Sequence, residues 1–241
     1  MAVVTTMNQA AESAQNPHAR LAGVLYLLTI ITGMAAFMLE GRLLVTNDAA
    51  ATAGNILSHQ NLFRLSSIFN LLGTCFYVAI TALFYHLFRP VNRAVSLIAA
   101  FLSLVGCAMG AVSCAVGLAP LNLAAGDPYA QLFTAVQLHG LILLLIKVSG
   151  LAYTTGMVFF GFYCILIGCL VFRSTFLPKV VGVLMMLAGV GWLTFLWPPL
   201  AHQVSSVTML TGLVGEGSLT LWLLVKGVNL LRWQQAAGKS T

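Results

Sequence analysis

Apolar residues in this chain come in long runs broken by short polar or basic turns. Six runs meet the demand of about 20 consecutive apolar residues that a helix needs to cross a bilayer core. They are Leu21–Leu39, Leu62–Phe88, Ala94–Ala119, Leu151–Phe172, Val180–Trp197 and Val207–Leu231. A further segment, Tyr129–Ile146, is apolar but carries Gln131, Gln137 and His139, with Lys147 just beyond it. The pattern predicts an all-α fold: a polytopic transmembrane helix bundle of six spans plus two outer interfacial or tilted helices, with both termini cytoplasmic.

Loop charge separates six spans from seven. With Arg20 on the cytoplasmic side, six crossings put Arg89 and Arg93, then Arg173 and Lys179, then Arg232 and Lys239 on that same side, as the positive-inside rule requires. A crossing by Tyr129–Ile146 would turn Arg173 and Lys179 outward. That segment is therefore expected to lie along or dip into the outer interface, or to form a long tilted extension of the fourth span. A shorter helix, Ala49–His59, precedes the second span, and Asp48 is placed to cap it. Each half then reads as interfacial helix, descending span, basic turn and ascending span, the order of an internal repeat of the kind found in transporters.

Composition agrees with lipid as the solvent. Sixty per cent of the 241 residues are hydrophobic and 7% are charged, whereas a soluble domain carries roughly 25% charged residues. The expected organisation is a polar tail at 1–20, one transmembrane helical domain at 21–231 and a cytoplasmic tail at 232–241, with Leu21 opening an uncleaved first span. The net charge of +6 is spread singly over the ends of apolar runs, so a nucleic-acid partner is not expected. All five cysteines fall within apolar runs without a C-x-x-C pair, the pattern of packing thiols.

Several short elements, in order, carry a family resemblance. They are Arg20-Leu21-Ala22-Gly23, then Asp48, Thr52, Asn55 and Ile56, then Leu62-Phe63-Arg64. Arg173-Ser174 with Leu177-Pro178 and Gly182 follows, and Gly215-Glu216, Leu221-Trp222-Leu223 and Gly227 close the series. Over roughly Arg20 to Leu231 the chain resembles the bacterial membrane family catalogued as domain of unknown function 4386. The resemblance implies a bacterial multi-pass protein, in the cell (inner) membrane, and brings no activity or catalytic residues with it.

Position along a span converts to depth at 1.5 Å per residue, which puts Glu216 roughly 13 Å below the outer edge of the last span. Asn70 has a similar depth in the second span. Thr32, Ser113 and Thr155 fall in the outer halves of theirs, with Glu40, Arg42, Arg64 and Lys147 nearer the outer surface. Polarity is thus gathered on the outer side, which predicts a cavity there. A carboxylate near the membrane centre costs on the order of 2.5–3.5 kcal/mol and faces a bundle interior or a cavity. The plain structural role for Glu216 is an interhelical clamp, to Arg64 or to a Thr or Asn across the bundle.

Three functions compete. The first is an enzyme or binding protein for a lipidic or isoprenoid-like molecule, with Glu216 catalytic as general acid or anchoring carboxylate. Asn70 and Arg64 would orient the substrate, and Asn55, Thr155 and Lys147 complete the substrate-binding candidates. The second is a small proton-coupled transporter component working as a homo-oligomer, and the third a non-enzymatic partner or sensor. Membrane lipids and a hydrophobic small molecule are the expected partners. No cofactor or metal is expected: His59, His139 and His202 are assigned to outer segments, His86 stands alone near the inner face, and no phosphate-cradling loop appears. Trp192, Trp222 and Trp233 read as belt or packing residues.

Overall fold

A computed structural model describes residues 17–45, 48–124 and 132–238. Among these residues the structure is helical, with α1 at Pro17–Glu40, α2 at Ala49–Ser58, α3 at Gln60–Phe88 and α4 at Arg93–Ala124. Then come α5 at Ala135–Arg173, α6 at Lys179–Leu193, α7 at Pro198–Gln203, α8 at Ser205–Val225 and α9 at Leu230–Gly238. Six of these helices, α1, α3, α4, α5, α6 with the 3-10 turn that follows it, and α8, are long and apolar enough to cross a membrane. Their outward surfaces say why. On α1 the buried positions Ala19, Ala22, Gly23, Tyr26, Thr32 and Ala36 are mostly small or polar, while Ile31, Phe37 and Met38 are more than half exposed. Large apolar residues outside and small ones inside are the arrangement of a helix solvated by lipid, where close approach between helices replaces hydrophobic burial as the driving force.

Three boundaries differ from those the sequence predicts. The third span does not stop at Ala119: α4 runs through Pro120 to Ala124. The last span does not reach Leu231. It ends at Val225, because Gly227 turns the chain with a left-handed φ of 62° and Val228 is buried beyond it. Hydropathy alone concealed this stop, since Val228, Leu230 and Leu231 keep the run apolar. Of the segment Tyr129–Ile146, residues 129–131 lie outside the described residues. From Ala135 onward it is continuous with the fourth span in one helix of 39 residues, so the extension is the alternative that holds. Residues 1–16 and Lys239 of the expected tails also lie outside the described residues.

The chain divides into two compact units. Of the described residues, the first comprises 17–27, 77–106 and 157–238, the second 28–45, 48–76, 107–124 and 132–156.

In the first unit, α5 and α6 meet backbone to backbone. A Cβ at Gly168 would fall 2.6 Å from the Gly182 carbonyl oxygen, and one at Gly189 would fall 2.5 Å from that of Gly161. Both glycines of each helix are seven residues apart, two turns on one face, so the contact repeats along the pair. Helix α8 packs on α6 as closely, with Gly215 against Leu184 and Ala188 and Gly212 beneath the Trp192 ring. Tyr26, Tyr77, Tyr163, Phe84 and Phe160 fill the space beside them, with ring centroids 4.6–5.8 Å apart from Tyr77 to Phe160, Tyr26 and Tyr163 and from Tyr26 to Phe84. At the end of α3 the His86 ring stands between His18, 5.4 Å away, and Trp233, 5.5 Å away. His86 is therefore not the isolated histidine that the span assignment predicts. The Trp233 indole N–H donates to the Leu87 carbonyl at 2.9 Å and ties α9 to α3.

The second unit is built on an aliphatic cluster of Leu43, Ala53, Ile56, Phe63, Leu121 and Ile142. Asp48 caps α2 as predicted, accepting from the Ala51 N–H at 2.8 Å. Thr52 accepts from the Val45 N–H at 3.0 Å and donates to its carbonyl at 3.1 Å. Helices α4 and α5 are joined by a reciprocal pair, Ser113 donating to the Ser149 carbonyl at 2.9 Å and Ser149 to the Ser113 carbonyl at 2.8 Å. No disulfide joins the cysteines of either unit; Cys107 and Cys164 are buried as expected of packing thiols, but Cys75 is exposed.

Candidate functional site

Glu216 is held at a junction of three helices of the first unit. The buried positions of α8 are Thr208, Gly212, Gly215, Leu219, Thr220 and Leu223, which apart from Thr220 beside Leu219 follow a stripe at three- and four-residue spacing that turns one face inward. Glu216 stands at the edge of that stripe, half-buried. On α1, Ala19, Ala22 and Tyr26 form the corresponding stripe and bring the Tyr26 hydroxyl to the carboxylate. It donates to Glu216 Oε2 at 3.0 Å. Trp192, one turn beyond buried Ala188 and Gly189 on α6, donates its indole N–H to Glu216 Oε1 at 3.0 Å. Both donors are neutral, so the carboxylate is solvated by dipoles rather than by a paired cation.

The network continues past Tyr26, whose hydroxyl lies 3.2 Å from that of Tyr77. Either oxygen of this pair can donate. If Tyr77 donates to Tyr26 and Tyr26 to Glu216, the chain solvates a carboxylate. If both hydroxyls rotate, a protonated carboxyl donates to Tyr26 and Tyr26 to Tyr77. Hydroxyls act as donor and acceptor at once, so the same heavy atoms serve both forms of the acid. At the next position of α8, a Cβ at Gly217 would meet no heavy atom within 4 Å, so no neighbour packs there.

The other sequence-derived candidates, Asn70, Arg64, Asn55, Thr155 and Lys147, all belong to the second unit, whereas Glu216 belongs to the first. Asn70 donates to Glu40 Oε1 at 2.9 Å. Asn55 donates to the Leu43 carbonyl at 3.3 Å, which fastens α2 to the end of α1. Thr155 donates to the Leu151 carbonyl of its own helix at 2.8 Å, and Lys147 is exposed. Arg64 is also exposed and lines a groove with Ser67, Ile68, Leu71, Cys114, Leu118, Leu121 and Asn122. The clamp partners expected for Glu216 were an arginine, a threonine or an asparagine. Those observed are Tyr26, which is not singled out in the sequence, and Trp192, which reads there as a belt or packing residue. The available signal was weak: a tyrosine within an apolar run needs a partner for its hydroxyl. Among the described residues no cluster of three or more His, Cys, Asp or Glu side chains stands together to hold a metal.

Fold and site together define a multi-pass helical membrane protein with a carboxylate held by neutral donors inside its bundle. Residues 21–227 match the family described as Domain of unknown function (DUF4386), and the chain belongs to it. It is also similar to an uncharacterized protein of the archaeon Archaeoglobus fulgidus, 25% identical over 155 residues that cover 64% of this chain and 78% of the relative. That relative does not share the bacterial origin that the resemblance implies. No solved structure matches the chain.

Proposed function

We propose that this protein binds a lipidic or isoprenoid-like molecule within the membrane and that Glu216 is the group that acts on or anchors it. One observation carries the reading: the Tyr77–Tyr26–Glu216 chain solvates the acid in either protonation state. A purely mechanical clamp has no need of that reversibility, and a general acid does. The second reading, a proton-coupled transporter working as a homo-oligomer, draws on the same chain, because two hydroxyls in line offer a proton a path away from the carboxyl. The basic turns at Arg89 and Arg93 and at Arg173 and Lys179 support an orientation with cytoplasmic termini.

Glu216→Gln tests the reading, since the amide donates to Tyr26 while its oxygen still accepts from Trp192. The variant is expected to fold, to lose the carboxyl stretching band that infrared difference spectroscopy detects across a pH step, and to alter the extracted lipid profile of expressing cells. Lost proton-coupled uptake with an unchanged lipid profile selects the transporter. If the band, the lipid profile and uptake are all those of the parent protein, Glu216 is a clamp and the proposal fails.

A further inference from the structure

The second unit holds a groove of ≈ 390 Å³ between α3 and α4 that takes no part in the Glu216 network. Its α3 wall is Arg64, Ser67, Ile68 and Leu71, positions i, i+3, i+4 and i+7, which form one continuous helical stripe. Its α4 wall is Cys114, Leu118, Leu121 and Asn122, again one face. Arg64 lies near the start of α3 and Asn122 near the end of α4, and both line the same groove. From Arg64 the α3 wall passes through Ser67 and Ile68 to Leu71. From Asn122 the α4 wall passes through Leu121 and Leu118 to Cys114. The groove is therefore graded, with a cation and an amide toward one end and only apolar or thiol side chains toward the other.

Arg64 and Asn122 are both exposed, and among the described residues neither has a hydrogen-bond or ionic partner. The carboxylates described in the same unit are engaged elsewhere, Glu40 accepting from Asn70 at 2.9 Å and Asp48 from the Ala51 N–H at 2.8 Å. A guanidinium left without an anion at the head of an apolar groove is complementary to a phosphate joined to a hydrocarbon chain. Guanidinium binds phosphate through paired N–H donors. The volume falls within the range of small-molecule sites, ≈ 300–1,000 Å³. We propose that this groove binds one acidic phospholipid, its headgroup phosphate on Arg64 and Asn122 and an acyl chain laid along Ser67, Ile68, Leu71 and Leu118. The site is independent of Glu216: it marks a resident lipid of the second unit rather than the molecule handled in the first.

Native mass spectrometry of the full chain from nanodiscs of mixed phosphatidylglycerol and phosphatidylcholine tests this. The parent protein is expected to retain one phosphatidylglycerol and not phosphatidylcholine. Arg64→Gln should lower that retention on the order of tenfold, about 1.4 kcal/mol. Arg64→Lys, which keeps the charge without the planar fork, should fall between the two. Leu71→Trp, at an exposed position that crowds the apolar end without touching the charge, should also weaken retention. Soluble glycerol phosphate should not displace the lipid. Equal retention of both lipids, or unchanged retention in Arg64→Gln, would overturn the proposal. So would displacement by glycerol phosphate with Leu71→Trp unaffected, which would mark a phosphate site without a chain. Melting temperatures of the four proteins, measured alongside, separate lost binding from lost folding.

Discussion

The two units meet the same demand, polar groups and close contacts in an apolar solvent, by different means. In the first, helices touch through glycines, and the spaces that remain are filled by tyrosine, phenylalanine and tryptophan rings, two of which reach a carboxylate. In the second, helices are joined by serine, threonine and asparagine bonds to backbone carbonyls around an aliphatic cluster, and a groove stays open. Lipid tails are as apolar as leucine, so burying aliphatic surface gains little there, and tight backbone contact and satisfied polar groups must supply the cohesion. The comparison teaches that cohesion and access trade off within one chain: the unit that closes on glycine holds the acid, and the unit that relies on side-chain bonds keeps room for a guest.

The sharpest way to break the contrast is to open the glycine contact. Gly168→Leu drives a side chain onto the Gly182 carbonyl and Met186, and overpacking of this kind costs roughly 1–3 kcal/mol or more. Because the first atom met is backbone, the upper end is expected, read as a large fall in the detergent melting temperature. Trp192→Phe removes one donor to Glu216 and leaves an acceptor half-buried. A loss of about 1–3 kcal/mol is expected, with a smaller loss for Tyr26→Phe only if Tyr77 can reach the vacated oxygen. Asp48→Ala should cost about 1 kcal/mol, confined to the second unit and visible as faster amide exchange in α2 without change in α8. Asn70→Ala should be the mildest, about 0.6 kcal/mol, the average for a hydrogen bond between membrane helices. A larger loss than for Trp192→Phe would reverse the ranking of the two carboxylates and with it the comparison.

The six spans and the Asp48 cap were legible because each depends on a local property: run length in one case, a single side chain beside its own backbone in the other. The partners of Glu216 were not. Which ring reaches it depends on the rotation of α1 and α6 about their axes, and that is fixed by small residues such as Ala22 and Gly189 far from it in sequence. Arg64, Asn70 and Glu216 were grouped by depth alone, and depth cannot tell which face of a helix a residue occupies. The end of α8 was written as Lys226-Gly227, a familiar helix stop, but the apolar residues after it outweighed the signal.

The glycine contact between α5 and α6 also bears on the order in which the chain is assembled. The two helices follow one another, separated only by residues 174–178, and contacts close in sequence form fast. Glycine has no side-chain rotamers to freeze, so this hairpin closes with little ordering beyond that of the two backbones. By the time α8 is made, α6 with Trp192 and α1 with Tyr26 have already been synthesised. Glu216 is then the last of the three to be made, so its acid follows both of its hydrogen-bond donors along the chain.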